Sequence, residues 1–455
     1  MQSQPVSIFE RAFKKLIPGG LESLGRRGSA IMNIAEDFPE SDVTIVKTWI
    51  DDCLAENGGQ VEARNRAAML GSAYLKLSAT GRTRFLGLLA EHYGVNEASV
   101  ESAIDQWHNA KPNQKTQAAQ ILRKALEPSR TALLKQFNSV PSGVKFLVDM
   151  REELLTLCKD HPELKPLETD LRDLLATWFD IGLLQLEEIS WNSSGAMLEK
   201  LIAYEAVHAI KSWSDLKNRL DFDRRCFAFI HPNMPDEPLI FVEVALVNGL
   251  AGNVQKLLDE HAPTLDIDKA DTAIFYSISN AQQGLAGISF GNFLIKQVVS
   301  KLQDEFPQLK QFATLSPIPG FRRWLENTPT EKLEQLPGGE QWLSSPLLPD
   351  PLRANPVDST GGQQEALMKL AAAYLCSSKP GSYRANDPVA HFHLSNGAQV
   401  AQLNWMADTS EKGLKQSAGL MVNYLYELPK IVHRSQKYTS LGAISQSSTI
   451  KKSLK

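Results

Sequence analysis

Hydrophobic and polar positions follow two different periods along this chain, and the change between them divides it. From about residue 40 to 185, apolar residues recur at i, i+3, i+4 and i+7: Val144, Leu147 and Val148, then Leu154, Leu155 and Cys158, and later Leu171, Leu174, Leu175 and Trp178. Stripes of that spacing predict amphipathic helices. Breaks fall where short loops are needed, at Asn57-Gly58-Gly59, Lys111-Pro112-Asn113, Pro141-Ser142-Gly143 and His161-Pro162. They leave helices of ordinary length, so residues 1–186 are expected to form an all-α helical bundle.

The period changes after Ile189-Ser190-Trp191. Cys226-Phe227-Ala228-Phe229-Ile230 and the run from Leu239 to Leu246 are rich in β-formers, and the Pro/Asn/Asp/Glu segment from Pro232 to Pro238 between them predicts a hairpin. A further strand from Ala273 to Ser279 runs into a glycine-punctuated loop. A helix follows, with an apolar stripe of Leu294, Ile295, Val298, Val299 and Leu302. Beyond a loop rich in proline and glycine (Leu336-Pro337-Gly338-Gly339 through Pro346, Pro349, Pro351 and Pro356), a helix is expected at about Gln364 to Cys376. Ala390-His391-Phe392-His393-Leu394 and Gln399 to Trp405 are predicted as strands joined at Asn396-Gly397, a strong hairpin signal. The tail after Tyr438 is rich in Ser, Thr and Lys and is expected to fray. The expectation is an α+β chain: a helical domain over 1–186, and a mixed-sheet domain over 187–455 ending in a polar tail at 437–455.

Composition narrows the function. The 455 residues are 43% hydrophobic and 22% charged, enough to bury a large core in two or three domains. A net charge of −4 lacks the basic excess that phosphate neutralisation requires, which argues against nucleic acid as a partner. Cys53, Cys158, Cys226 and Cys376 are scattered and form no metal-ligand spacing, so a reduced, cytoplasmic setting is expected. No run of about 18 apolar residues occurs, and the N-terminal Phe9, Ala12, Phe13, Leu16 and Ile17 are too interrupted to span a membrane. The final Ser453-Leu454-Lys455 scrambles the order a peroxisomal address requires.

Four features carry candidate chemistry. The segment Phe275 to Lys296 has the layout of a phosphate cradle, because glycines let amides turn to an anion and the following helix offers free N–H groups. It matches neither the Walker A nor the dinucleotide pattern, comes nearer to the acetyl-CoA loop of acetyltransferases, and is equally compatible with a plain strand-to-helix turn. His391 and His393, two apart, would share a face of a strand, as metal ligands, structural histidines or one acid–base group. Glu205-x-x-His208 at helical spacing reads as a solvated helix face. Ser316, followed by Pro317-Ile318-Pro319-Gly320, is either a turn serine or a hydroxyl held rigidly for hydrogen bonding.

Taken together, the segments Arg224-Arg225-Cys226-Phe227, Phe275 to Ile295, Leu315-Ser316-Pro317-Ile318-Pro319-Gly320-Phe321, Pro388 to Leu394, Asn404-Trp405-Met406-Ala407-Asp408 and Gly419 to Tyr426 resemble the malonyl-CoA decarboxylase family, in family order. The resemblance implies a C-terminal acetyltransferase (GNAT-like) domain behind a helical domain that serves in oligomer assembly. It implies conversion of malonyl-CoA to acetyl-CoA and CO2. The family's serine and histidine fall on Ser316 and His393, and further acyl-pocket positions on Ser277 and Tyr426. Its CoA-pyrophosphate loop falls on Ala286, Gly287, Ile288, Ser289, Phe290, Gly291 and Asn292. Where some members carry Gln and Glu in that loop, this chain has Ala286 and Ser289, and His391 stands where others have Asn. No cofactor or metal is expected, because the malonyl thioester accepts the electron pair itself. An acyl-CoA N-acyltransferase or a non-catalytic acyl-CoA sensor of the same fold are the alternatives.

Overall fold

The structure is a computed structural model that describes residues 31, 33–55, 59–288, 293–344 and 361–455. The N-terminal apolar stretch, Ser289 to Asn292 of the glycine loop and the prolines from Pro346 to Pro356 lie outside the described residues. Two compact units are present. One comprises the described part of Met1–Leu184 with His231–Glu237 and residues 282–288; the other holds most of the remainder.

The first unit is helical from Glu40–Leu54 to Lys165–Trp178, as the period predicts. Two of its helices matter below, α1 (Gly143–Leu157) and α2 (Lys165–Trp178). Val144, Leu147, Val148 and Leu154 of α1 and Leu171 and Leu175 of α2 are buried, so the predicted stripes face the core. Tyr74, Phe85, Phe137 and Phe146 meet edge to face with centroids 5.2–5.7 Å apart, the geometry aromatic quadrupoles favour.

The second unit is an eight-stranded mixed sheet with helices. Its strands are β1 (Gln185–Ile189), β2 (Arg224–His231), β3 (Met234–Val247), β4 (Thr272–Asn280), β5 (Gln311–Thr314), β6 (Ser316–Pro317), β7 (Gln399–Asn404) and β8 (Met421–Tyr426). The order is β1-β2-β3-β4-β5-β8-β6, with β7 along the other edge of β8. β4 and β5 run parallel, joined through the helix α4 (Phe293–Glu305), whereas β1 with β2, β3 with β4, and β8 with β5, β6 and β7 pair antiparallel. This is the mixed, helix-flanked sheet that the GNAT-like expectation requires. In α4 the predicted stripe Leu294, Ile295, Val298, Val299 and Leu302 is buried.

Several expectations are corrected. The β2–β3 turn is confined to Pro232 and Asn233, because β3 already starts at Met234. The segment around His391 and His393 is the helix α5 (Pro388–Ser395), not a strand. Asp387 caps it by accepting the Val389 and Ala390 N–H groups, and Pro388 fills the first turn, where its missing N–H costs nothing. Asn396-Gly397 ends this helix rather than turning a hairpin: Gly397 has φ +84°, its N–H donates to the Leu394 carbonyl and that of Ala398 to His393, a Schellman motif. A Cβ at Gly397 would lie 2.2 Å from the Ile431 carbonyl oxygen, so only glycine fits.

The tail does not fray. After α6 (Ile431–Leu441), Ser447 donates its N–H to Val400 O, and α7 (Ser448–Ser453) buries Ile450. Among the described residues, no helix is long and apolar enough to cross a membrane, and no group of three or more His, Cys, Asp or Glu is arranged to hold a metal.

Candidate active site

The site forms where two parallel strands part. Pairing of β4 with β5 ends at Phe275↔Thr314, after which the Leu315 N–H donates to Phe275 O. The chain then enters β6, which pairs with β8 (Ser316↔Val422), leaving residues 276–280 of β4 without that neighbour. A bulge adds to the divergence: Glu243 pairs with Ser277 and Val244 with Phe275, so Tyr276 is an extra residue that re-aims its strand. A cavity of about 290 Å³ opens there, lined by Tyr276, Ile278 and Asn280 of β4, Ser316 of β6, and Phe392 and His393 of α5.

Ser316 and His393 meet in its wall. The Ser316 hydroxyl lies 3.2 Å from His393 Nε2 and donates to Thr314 Oγ1 at 2.8 Å, and His393 Nδ1 lies 2.8 Å from the Tyr426 hydroxyl. Tyr424 stacks on the imidazole at 4.5 Å between centroids, which fixes the ring plane. Burial pushes the His393 imidazole down to about 3, so it is neutral at physiological pH, and holds the Tyr426 phenol well above its ordinary range. On the helix the two histidines face different neighbours. His391 Nδ1 is 2.8 Å from the Tyr438 hydroxyl, so the pair is not a shared metal face.

The base of α5 is itself anchored. Asp387 is buried, and besides its two cap bonds it lies 3.4 Å from the Tyr374 hydroxyl. Asp387→Ala is expected to cost about 1–2 kcal/mol through loss of the cap, and to lower kcat in the fraction that stays folded, because the helix carrying His393 in its last turn loses the anchor of its first. Urea unfolding and initial rates on the same preparation check both. An unchanged kcat would show that Tyr424 and Tyr426 alone position the ring.

Ser277 is placed differently. It alternates with Tyr276 and Ile278 along β4, is not among the residues lining the cavity, and donates to both Glu205 oxygens at 2.8 Å. Glu205 corrects a second expectation. The helix α3 (Gly195–Tyr204) stops before it, so Glu205 and His208 share no helix face, and both are buried rather than solvated. Its carboxylate accepts the N–H groups of Val207 (2.9 Å) and His208 (2.8 Å) and the Ser279 hydroxyl (2.9 Å). Nearby Glu243 is pushed up to about 7 by burial first and by Glu205 second, against the pull of Arg219.

Of the glycine loop, Ala286, Gly287 and Ile288 are described, with Ala286 and Gly287 exposed and Gly287 at φ +78°. The turn before them, Gln283–Leu285, is packed on α1: Arg151 Nη1 donates to Gly284 O at 2.5 Å, and a Cβ on Gly284 would lie 1.8 Å from Val148 O. Ser289, Phe290, Gly291 and Asn292 lie outside the described residues. Thr314, Asp387 and Tyr424 were not singled out by sequence reasoning, and Glu205 was singled out only as part of a solvated helix face. Asp387 alone carried a usable signal, the Asp-Pro start of a helix.

Fold and site together define the class: an acetyltransferase-like domain that carries a Ser–His pair where its parallel strands separate. Comparisons with known proteins narrow it. Residues 182–455 match the family model for the malonyl-CoA decarboxylase C-terminal domain and residues 93–179 the model for its N-terminal domain. The chain is 35% identical over 429 residues to the mitochondrial malonyl-CoA decarboxylase of Anser anser anser (85% of this chain, 83% of that protein), and 37% identical over 412 residues to that of Mus musculus (82% and 81%). It is similar to a crystal structure of malonyl-CoA decarboxylase from Rhodopseudomonas palustris, with TM-score 0.83 and 38% identity over 90% of this chain and 99% of that one. The chain belongs to the malonyl-CoA decarboxylase family.

Proposed function

We propose that the chain decarboxylates malonyl-CoA to acetyl-CoA and CO2, and the contact of Ser316 with His393 in the cavity wall is the observation that carries the mechanism. Breaking the bond from C2 to the carboxylate sends its electron pair into the thioester as an enolate, CO2 leaves, and C2 takes a proton. The thioester is the electron sink, so we read the reaction as needing no metal or organic cofactor. What the protein must supply is orientation, a hydrogen-bond donor to the growing oxyanion, and a proton for C2. A neutral His393 suits the donor role, and Ser316 suits holding the malonyl carboxylate or passing the proton. The apolar share of the wall, Ile278 and Phe392, favours loss of the carboxylate charge by keeping water from it.

Loop amides from Ala286 to Asn292 are proposed to take the CoA pyrophosphate. Gly287 supports this at its own position, since space around its Cβ position is open and its positive φ suits amides turned outward. We further propose that the helical unit mediates self-association, and that four unpaired thiols point to a reducing compartment such as the cytoplasm. "Mitochondrial" is said of the two vertebrate relatives.

Incubating the purified chain with malonyl-CoA alone is the test. Acetyl-CoA and CO2 are expected one for one with no acceptor present. Strict dependence on an amine would make the chain an acyltransferase, and tight binding without turnover would make it a sensor.

A further inference from the structure

We infer that Thr314 is a positioning residue that decides which nitrogen of His393 carries the proton. The argument is a count of donors. Thr314 ends β5, is buried, and is fixed from two sides: its carbonyl accepts Asn423 Nδ2 at 2.8 Å and its hydroxyl oxygen accepts the Tyr424 N–H at 3.3 Å. The same oxygen accepts the Ser316 hydroxyl at 2.8 Å. A serine has one proton to give, and in the free site this bond uses it. Toward His393 Nε2, 3.2 Å away, Ser316 therefore offers only a lone pair, and the nitrogen must be the donor. A neutral imidazole carries one N–H, so Nδ1 is bare and takes the Tyr426 proton across 2.8 Å.

In this arrangement Tyr426, His393 and Ser316 each donate once, in one direction, ending on Thr314. With Ser316 donating to Thr314, the opposite tautomer would set a bare His393 Nε2 against a Ser316 lone pair and leave the Tyr426 proton without an acceptor on the ring, an arrangement protein interiors avoid. The consequence lies at the cavity. The nitrogen beside Ser316 is an N–H, so His393 meets a bound acyl group as a donor and not as a base. That suits an oxyanion partner or a proton source for C2.

The kinetic part of this inference rests on the proposed decarboxylation, and the spectroscopic part does not. Full-length protein labelled with 15N-histidine, with the His393 signals identified by their loss in His393→Asn, is expected to show Nε2 protonated and Nδ1 bare. In Thr314→Val, which keeps the side-chain shape, the freed Ser316 proton turns to Nε2 and the two nitrogens exchange character. kcat with malonyl-CoA is then expected to fall at least about tenfold with KM within about twofold. Thr314→Ser, which restores the hydroxyl, should recover the nitrogen pattern and most of kcat. A wild-type ring protonated on Nδ1, or a Thr314→Val protein with the wild-type pattern and rate, overturns the inference. So does a Thr314→Ser protein as slow as Thr314→Val. The nitrogen signals need no turnover, so a wild-type chain with Nε2 protonated that releases no CO2 supports the role of Thr314 while refuting the proposed function.

Discussion

His393→Asn is expected to lower kcat with malonyl-CoA by about 10²–10⁴-fold while CoA binds as before. Among the described residues of the cavity wall, the imidazole is the one group that combines an acid–base nitrogen with contacts to both Ser316 and Tyr426, and a positioned proton donor contributes on that scale. Initial rates and calorimetric titration with CoA separate the two quantities, and undiminished turnover would remove His393 from the chemistry. The same burial sets a pH dependence. With the folded imidazole pushed down to about 3 and an unfolded one near 6.5, the unfolded chain binds the extra proton between those values. The stability contributed by this buried neutral ring is therefore complete above about pH 6.5 and shrinks as pH falls, by up to about 1.4 kcal/mol per unit. No step in kcat from His393 is expected between pH 6 and 8.

Arg151→Ala is expected to cost about 3–5 kcal/mol, because it removes one partner of a buried ion pair. Arg151 and Glu168 are both buried, with Nε and Nη2 donating to Glu168 Oε1 at 3.1 and 2.9 Å. Burial opposes ionisation of Glu168, but bonds from Lys165 and Arg151 hold its carboxyl below the ordinary range. Without the guanidinium, Glu168 keeps only the exposed Lys165, and Gly284 O loses its donor. Because Gly284 belongs to the turn that leads into the glycine loop, KM for malonyl-CoA should rise as well. Urea unfolding followed by circular dichroism checks the stability, and the pair Arg151→Met with Glu168→Leu should recover most of it by removing both charges. A loss below about 1 kcal/mol for Arg151→Ala would show that the pair does not organise the turn.

Much of the fold was written in periodicity, and the failures have physical causes. The stripe Leu294, Ile295, Val298, Val299, Leu302 and the helical spacing before residue 185 were legible because long amphipathic segments repeat their signal. Ala390 to Leu394 misled because five residues with aromatic and apolar positions fit a strand as well as a short helix. The Asp387-Pro388 start and the Gly397 stop outweighed them. Asn-Gly serves a hairpin or a helix end, and here the Gly397 and Ala398 N–H bonds to Leu394 and His393 make it the latter. Ser316 and His393 were named through the family pattern, whereas the contacts of Thr314 and Glu205 are invisible in one sequence. Their partners come from strands and loops far apart in the chain, with Glu205 and Ser277 separated by 72 positions.

The docked carboxyl end has one more consequence. A sheet's last strand presents a row of unpaired amides and carbonyls, and such an edge recruits strands from other chains. β7 would be that strand, since β8 occupies one of its sides. Val400 instead donates its N–H to Ser445 O and accepts from the Ser447 N–H, the Ser447 hydroxyl caps Ala401 O, and Ile450 seals the turn beyond. These polar last residues thus act as a guard against intermolecular strand pairing.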